Sequence, residues 1–317
     1  MEACDSPEQS NVTFYGATAV AIFAPQAFAG MWINAFIVSV ICNAWVKKKA
    51  LNSNEKILLS LGCSRFWYLG IAWLYYLVVT IHPYCFYVSP LLELLSAVDG
   101  AFQCLNTWFS ACLCVFYCIK IANFRNRFFN YLKVKIDRIV PWLLSGSLPL
   151  ALVFGIAVYN TTDKTQCENF NFTSHGNYFI QIITMDEHFS PAFFIIVFVY
   201  VTALMAVMFS ALLLLLSLWR HKRNMQTNSM KDLSMDAHIK AMKCILSFLV
   251  MYIINFIIMI LALIYSMKNQ IHMTFPISVV MYAFQGVDSL ILIFINPKLE
   301  KTLLRILPCV KCRICMR

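Results

Sequence analysis

Charge is scarce in this chain: Asp, Glu, Lys and Arg make up only 13% of 317 residues. An ordinary soluble domain carries about twice that share, which argues against a cytosolic enzyme of this length. Glycine (9) and proline (10) are also few, leaving no room for flexible linkers, collagenous repeats or a disordered arm. Catalytic signatures are missing as well. There is no HExxH, no GxSxG, no Gly-rich phosphate loop and no His/Asp cluster at ligand spacing, so neither an enzyme nor a metal or other cofactor is expected. No internal repeat of the kind built into many transporters is visible. What fills the chain is apolar, with 61% hydrophobic residues and a mean hydropathy of +0.71. Such a surface must face lipid, and the chain reads as one integral membrane domain over 1–317.

A helix needs roughly 20 apolar residues to cross about 30 Å of hydrocarbon. Seven runs qualify, at 18–45, 57–81, 88–119, 139–159, 190–219, 241–265 and 271–295. Barrel strands would alternate apolar and polar residues, whereas FIIVFVY and IINFIIMILALIY are apolar on both faces, so the expected fold is all-α, a seven-helix transmembrane bundle.

Basic residues next to spans are retained on the cytoplasmic side. Lys47, Lys48, Lys49 and Lys56 lie on one side with the basic residues of 120–138, 220–243 and the short tail 298–317; the other side has only Lys164 and Lys268, and Arg65 alone is inside a span. The N-terminus is therefore expected outside and the C-terminus inside, and the excess of Lys and Arg points to the membrane surface rather than to nucleic acid. The three N-glycosylation sequons, at Asn11, Asn160 and Asn171, all fall on the expected outer side. No cleavable signal peptide is expected, since the N-terminus lacks a basic region. Most of the thirteen cysteines sit in spans, and only Cys4, Cys85 and Cys167 face the oxidising side. A Cys85–Cys167 bridge would tie span three to the second outer loop, but spacing does not establish connectivity. Cys309, Cys312 and Cys315 lie in the basic tail, where palmitoylation and free thiols both remain open. The tail, with Leu299, Leu303, Leu304 and Leu307 at helical spacing, reads as a short helix on the inner leaflet.

Polar side chains inside spans are costly unless paired, so they mark interior faces. Glu93, Ser96, Asp99, Gln103 and Asn106 recur at steps of three or four, which puts them on one face of span three. Asp99 lies roughly 30 Å above Lys120 by helix rise, in the outer part of the span. It is a candidate ligand contact, particularly for cations, or else a hydrogen-bonding group between helices. Deeper lie Asn34, Arg65, Asp288 and Ser289. Arg65 and Asp288 both sit about 13 to 15 Å above the inner surface, and a buried Arg is best compensated by a carboxylate. An Arg65–Asp288 pair with Asn34 beside it would bias inactive against active packing, or simply tie the spans together. At the inner helix ends, Lys120, Arg125, Arg127, His221, His238, Lys240 and Lys243 are candidates to face a G protein, with anchoring to anionic lipid as the alternative.

These residues carry a family resemblance. LLSLGCSR at 58–65, WFS at 108–110, FYCIKIANF at 116–124, SLWRH at 217–221, HIKAMK at 238–243, SFL at 247–249 and NPKL at 296–299 resemble, in order and spacing, the type 2 or bitter taste receptors. The absence of an Asp-Arg-Tyr end to span three and of a proline in span six departs from the rhodopsin-like receptors. Vomeronasal type 1 receptors share the architecture and stay open as an alternative, and an ion channel or transporter is the rival class. The resemblance implies a plasma-membrane, G-protein-coupled receptor for small bitter compounds that signals through gustducin or a related G protein, phospholipase C and calcium. It carries over a ligand site at Asp99, Gln103, Asn255, Ser278 and Met281, to which the stripe adds Asn106. Several of these positions depart from the family: Trp is common where Asp99 stands, Asn at Gln103, Tyr at Asn255 and His at Asp288.

Overall fold

The computed structural model describes residues 7–81, 91–122, 127–169, 191–226, 232–267 and 271–315. Among the described residues all regular structure is helical. The order is α1 (Pro7–Lys48), α2 (Ser53–Ile81), α3 (Leu91–Ile121), α4 (Arg127–Asn169), α5 (Pro191–Gln226), α6 (Asp232–Met267), α7 (Ile271–Ile295) and α8 (Pro297–Cys315). Each expected span falls on one of the first seven helices, although 88–90 and 190 lie outside the described residues. Six of these are long and apolar enough to cross a membrane, and α6 contributes a shorter described apolar stretch, Leu249–Ala262.

Several helices overrun their apolar runs. In α4 the polar extension around 131–138 gains local support, because Lys135 Nζ donates to the Tyr131 hydroxyl one turn earlier at 2.5 Å and lies 4.3 Å from the centre of its ring. Helix ends are written in short polar motifs. After α1 the chain turns at Lys49, whose φ of 55° is the left-handed value typical of a helix stop. Asn52 then opens α2 with half of a capping box, its N–H donating to Glu55 Oε2 at 3.1 Å. Asn296 does the same for α8: its Oδ1 accepts the Lys298 N–H at 3.0 Å, and Pro297 takes the first helical position, where no N–H is needed.

α3 runs through the middle, against α2, α4 and α5; α1 packs on α2 and α7, and α6 on α5 and α7. In a membrane, apolar burial gives helices little reason to associate, so close packing of small residues matters more. The α3–α4 contact shows this. A Cβ on Gly155 would lie 3.0 Å from the Ala97 carbonyl oxygen and 3.3 Å from the Ala101 methyl, so the backbones approach as they do only because position 155 has no side chain. Away from the core, Trp142, Leu152, Ile156, Phe198, Phe209 and Leu212 are exposed, the band that meets lipid. Ion pairs gather one end of the bundle: Lys298 Nζ to Glu55 Oε1 at 2.6 Å joins α8 to α2, and Lys120 Nζ to Asp137 Oδ2 at 2.7 Å joins α3 to α4. We refer to this as the basic end.

Candidate functional site

The polar stripe of α3 faces inward. Glu93 and Asn106 are buried and Ser96, Asp99 and Gln103 half-buried, as helical spacing requires of one interior face. Ser110, four residues beyond Asn106, continues the same face and is buried too.

Around this stripe the structure assembles two polar layers. The deeper one is centred on Arg65, which is only 2% exposed. Its Nη2 pairs with Asp288 Oδ2 and also donates to Ser110 Oγ at 3.3 Å. Nη1 donates to Ser289 Oγ at 3.0 Å. The Ser289 hydroxyl in turn shares its proton between Asn34 Oδ1 at 3.0 Å and the Gln285 carbonyl at 2.9 Å, and Asn34 Nδ2 donates to the Gly30 carbonyl at 2.8 Å. One side chain on α2 thereby connects α1, α3 and α7. The long guanidinium does this where α2 and α7 approach each other only locally. Gly30 and Gly286 help by bringing α1 close: a Cβ on Gly286 would lie 3.8 Å from the Gly30 Cα, and one on Gly30 only 2.5 Å from Leu69 Cδ1. Beside this network Ser64 donates to Asn106 Oδ1 at 2.5 Å, adding a second α2–α3 tie.

A polar cavity opens next to the pair. It is small, about 30 Å³, and Arg65, Asn106, Ser110, Tyr252, Asn255 and Asp288 are among the residues lining it. Arg65 Nε, Asn106 Nδ2, the Tyr252 hydroxyl, Asn255 Oδ1 and Asp288 Oδ1 are all buried without a hydrogen-bond partner. Donors and acceptors from α2, α3, α6 and α7 thus converge on one space, the arrangement that a small polar ligand or a few bridging waters can satisfy.

The second layer lies farther from the basic end. Phe23 of α1, Tyr68 and Tyr76 of α2 and Tyr282 of α7 form one aromatic cluster: Phe23 stacks on Tyr76 with centroids 4.0 Å apart, Tyr68 on Tyr282 at 5.4 Å, and Tyr76 meets Tyr282 edge-on at 6.0 Å. Met281 packs against this cluster and Gln103 Nε2 contacts its sulfur at 3.7 Å. Ser278 hydrogen-bonds Tyr76. Asp99 lies one turn before Gln103 on α3, and its Oδ1 is buried and accepts no hydrogen bond.

The six residues read from the sequence as a ligand site therefore divide. Gln103, Ser278 and Met281 adjoin the aromatic layer, with Asp99 one turn from Gln103 on α3, whereas Asn106 and Asn255 line the deeper cavity with Arg65 and Asp288. The tyrosines, Ser64, Ser110 and Tyr252 were not singled out from sequence. Ser110 had a signal, as the next step of the α3 stripe; the tyrosines had none that distinguishes them from core aromatics.

The remaining predicted positions are dispersed. Lys120 is engaged with Asp137 and lies 5.8 Å from the Phe116 ring centre, and Arg127 is exposed at the start of α4. His221 lies in the last turns of α5, and His238, Lys240 and Lys243 in the first half of α6; Arg125 lies outside the described residues. Asn160 is exposed on α4 and Asn11 falls within α1, so both sequons sit on helices; Asn171 lies outside the described residues. Cys167 is in the last turns of α4, while Cys85 lies outside the described residues. Cys309, Cys312 and Cys315 are all within α8.

Comparison with known proteins adds a separate line of support. The family model described as "Taste receptor protein (TAS2R)" matches residues 13–311. The chain is 32% identical over 303 residues to taste receptor type 2 member 40 of Gallus gallus, covering 93% of this chain and 96% of that one. It is 30% identical over 316 residues to taste receptor type 2 member 123 of Mus musculus, covering 91% of each. To taste receptor type 2 member 2 of Homo sapiens it is 27% identical over 315 residues, covering 92% and 96%.

Proposed function

The chain belongs to the TAS2R taste receptor family, a family of multi-pass membrane receptors with a seven-helix fold, and on that premise we propose how it works. It is a bitter receptor at the plasma membrane, with its N-terminus outside, its basic end in the cytoplasm and 1–317 acting as one receptor domain. Agonists enter from the outer side and contact Asp99, Gln103, Ser278 and Met281, and those that reach deeper contact Asn106 and Asn255. Occupancy is felt by the Arg65–Asp288–Ser289–Asn34 network, and the inner helix ends then open to a gustducin-type G protein, leading to phospholipase C and calcium release. Among the inner basic residues, Arg125, His221, His238, Lys240 and Lys243 form the G-protein-facing set. Lys120 needs to leave Asp137 to join them.

The observation that carries this reading is the cavity. Asn255 on α6 and Asp288 on α7, each with a buried, unpartnered oxygen atom, line one space with Arg65. A ligand group or water held there by Asn255 competes for, or bridges to, the same guanidinium and carboxylate that hold α1, α2, α3 and α7 together. A ligand shifts such an equilibrium only by its differential affinity for the two packings, and a shared hydrogen-bonding space provides that difference.

The test is intracellular calcium in cells expressing the chain with or without a gustducin-like G protein, challenged with a panel of bitter compounds. The reading expects responses that require the G protein and that weaken when Asn255 is changed to Leu. Currents or calcium entry that persist without any G protein would instead identify a channel and overturn it.

A further inference from the structure

We propose that the deeper cavity holds one ordered water molecule, bound by Arg65 Nε, Asn106 Nδ2, Asn255 Oδ1 and Asp288 Oδ1, which ties α6 to the network joining α1, α2, α3 and α7. What this water does in activation rests on the reading of the chain as a receptor; the water itself does not.

Three of the four atoms are what remains of a group otherwise committed. Arg65 uses Nη1 and Nη2 on Ser289, Ser110 and Asp288, so only Nε is left. Asp288 gives Oδ2 to Arg65 and keeps Oδ1. Asn106 accepts from Ser64 at Oδ1, and its Nδ2 remains. Asn255 Oδ1 completes the set. All four atoms are buried without a partner, and their residues line the same small cavity. Two of them donate and two accept, and water is the small molecule that accepts twice and donates twice. Buried waters usually make about three hydrogen bonds to otherwise unsatisfied groups, and this site offers that many with one to spare. The Tyr252 hydroxyl, also unpartnered at this cavity, is surplus to the count.

Size and charge argue against other occupants. The cavity has about 30 Å³, and a water needs about 10–15 Å³ of such space, whereas a whole organic ligand takes about 300 Å³ or more. A cation would meet the Arg65 guanidinium and an anion the Asp288 carboxylate, while the pair together is neutral and suits a neutral guest. α6 otherwise packs on α5 and α7. Through this water Asn255 reaches α2 and α3 as well. A ligand group that takes Asn255, or an outward step of α6, therefore releases the water and the tie together.

The test is synchrotron X-ray footprinting of the purified full chain in lipid nanodiscs, in which hydroxyl radicals born from bound water oxidise the side chains beside it. Tyr252 and Tyr282 are both 9% exposed, and of the two Tyr252 lines the cavity. Tyr252 should be oxidised about fivefold or more faster than Tyr282, since a buried water sits beside one ring and not the other. A radical scavenger added to the bulk solution should not protect it. Asn255→Leu removes an acceptor, and Thr107→Leu fills the cavity from a residue whose hydroxyl already bonds the Gln103 carbonyl at 3.0 Å. Each should bring Tyr252 down to the rate of Tyr282, so that a folding defect in one variant does not decide the matter. Equal rates for the two tyrosines, protection of Tyr252 by the scavenger, or oxidation that survives both variants overturns the assignment. Sodium is checked by thermal unfolding, whose midpoint should be the same in sodium chloride and N-methylglucamine chloride at equal concentration. A sodium-specific rise that Asn255→Leu removes would put a cation in the cavity instead. Footprinting needs neither agonist nor G protein. A dry cavity in a chain that signals therefore overturns this inference alone, and a wet one in a chain that never signals overturns only the receptor reading.

Discussion

The Arg65–Asp288 pair makes the most demanding prediction, because the structure allows its two halves to be separated. Asp288→Ala removes the counter-charge but leaves Arg65 bonded to Ser289 at 3.0 Å and to Ser110 at 3.3 Å. What remains is a guanidinium that is 2% exposed and carries its charge without a carboxylate. Removing one partner of a buried pair costs about 3–5 kcal/mol, mostly for the charge left behind. Arg65→Met has the mirror effect, since it strands the Asp288 carboxylate and also breaks the bonds to Ser289 and Ser110, so it belongs near the upper end of that range. The double variant strands no charge. Its cost should fall short of the sum of the single costs by about 3 kcal/mol, the penalty that each single change incurs alone. Reversible unfolding by SDS titration in mixed micelles, run on all four proteins, measures this coupling. Single costs that simply add, with an interaction energy within about 0.5 kcal/mol of zero, would falsify the view that the pair compensates two buried charges. A double variant of near-native stability that no longer signals would assign the pair to switching rather than to holding the fold.

Other consequences can be checked with single variants. Gly155→Ala puts a methyl 3.0 Å from the Ala97 carbonyl oxygen, an overpacking that should destabilise by about 1–3 kcal/mol and lower the midpoint in the same titration. Tyr252→Phe deletes a buried hydroxyl that has no partner, so stability should hold or rise by a few tenths of a kcal/mol or more, unlike ordinary loss of a paired hydroxyl at about 1 kcal/mol; thermal unfolding of the purified variant decides between them. Lys298→Met breaks the 2.6 Å contact with Glu55, but Lys298 is 36% exposed, so the loss should stay below about 1 kcal/mol and shrink in high salt. Asn160→Gln should reduce the mobility shift on treatment with peptide N-glycosidase, and Asn160→Gln combined with Asn11→Gln and Asn171→Gln should abolish it, since all three sequons lie on the expected outer side.

Helix boundaries were not legible in the sequence: α1, α4 and α6 begin before their apolar runs, and caps such as Asn52 with Glu55 and Asn296 with Lys298 emerged only in the structure. Helix number and class were legible because both depend on local chemistry, and a run of about 20 apolar residues has few options other than a membrane helix. The inward face of α3 was legible for the same reason, since spacing along one helix fixes which residues share a side. Depth was readable too, because rise per residue is constant, and that is why Arg65 and Asp288 could be matched in height from sequence and meet in the structure. Extension of α4 beyond its apolar run was not, because a polar sequence supports helix only through contacts such as Lys135 with Tyr131.

Rotation and neighbourhood between helices belong to tertiary structure alone. Nothing in α2 by itself tells Tyr68 or Tyr76 apart from Trp67, which is 57% exposed; the tyrosines gain their meaning from Tyr282, more than two hundred residues away. The division of the ligand residues has the same origin. Gln103 and Asn106 lie one turn apart on one stripe, and only the packing of α2, α6 and α7 around α3 places one beside an aromatic cluster and the other in a polar cavity. Sequence determined which groups were too polar to face lipid, because transfer cost is a property of the side chain. The fold decided which of them found partners and which, like Asn255, were left without one at the edge of a small cavity, because pairing depends on how separate helices dock.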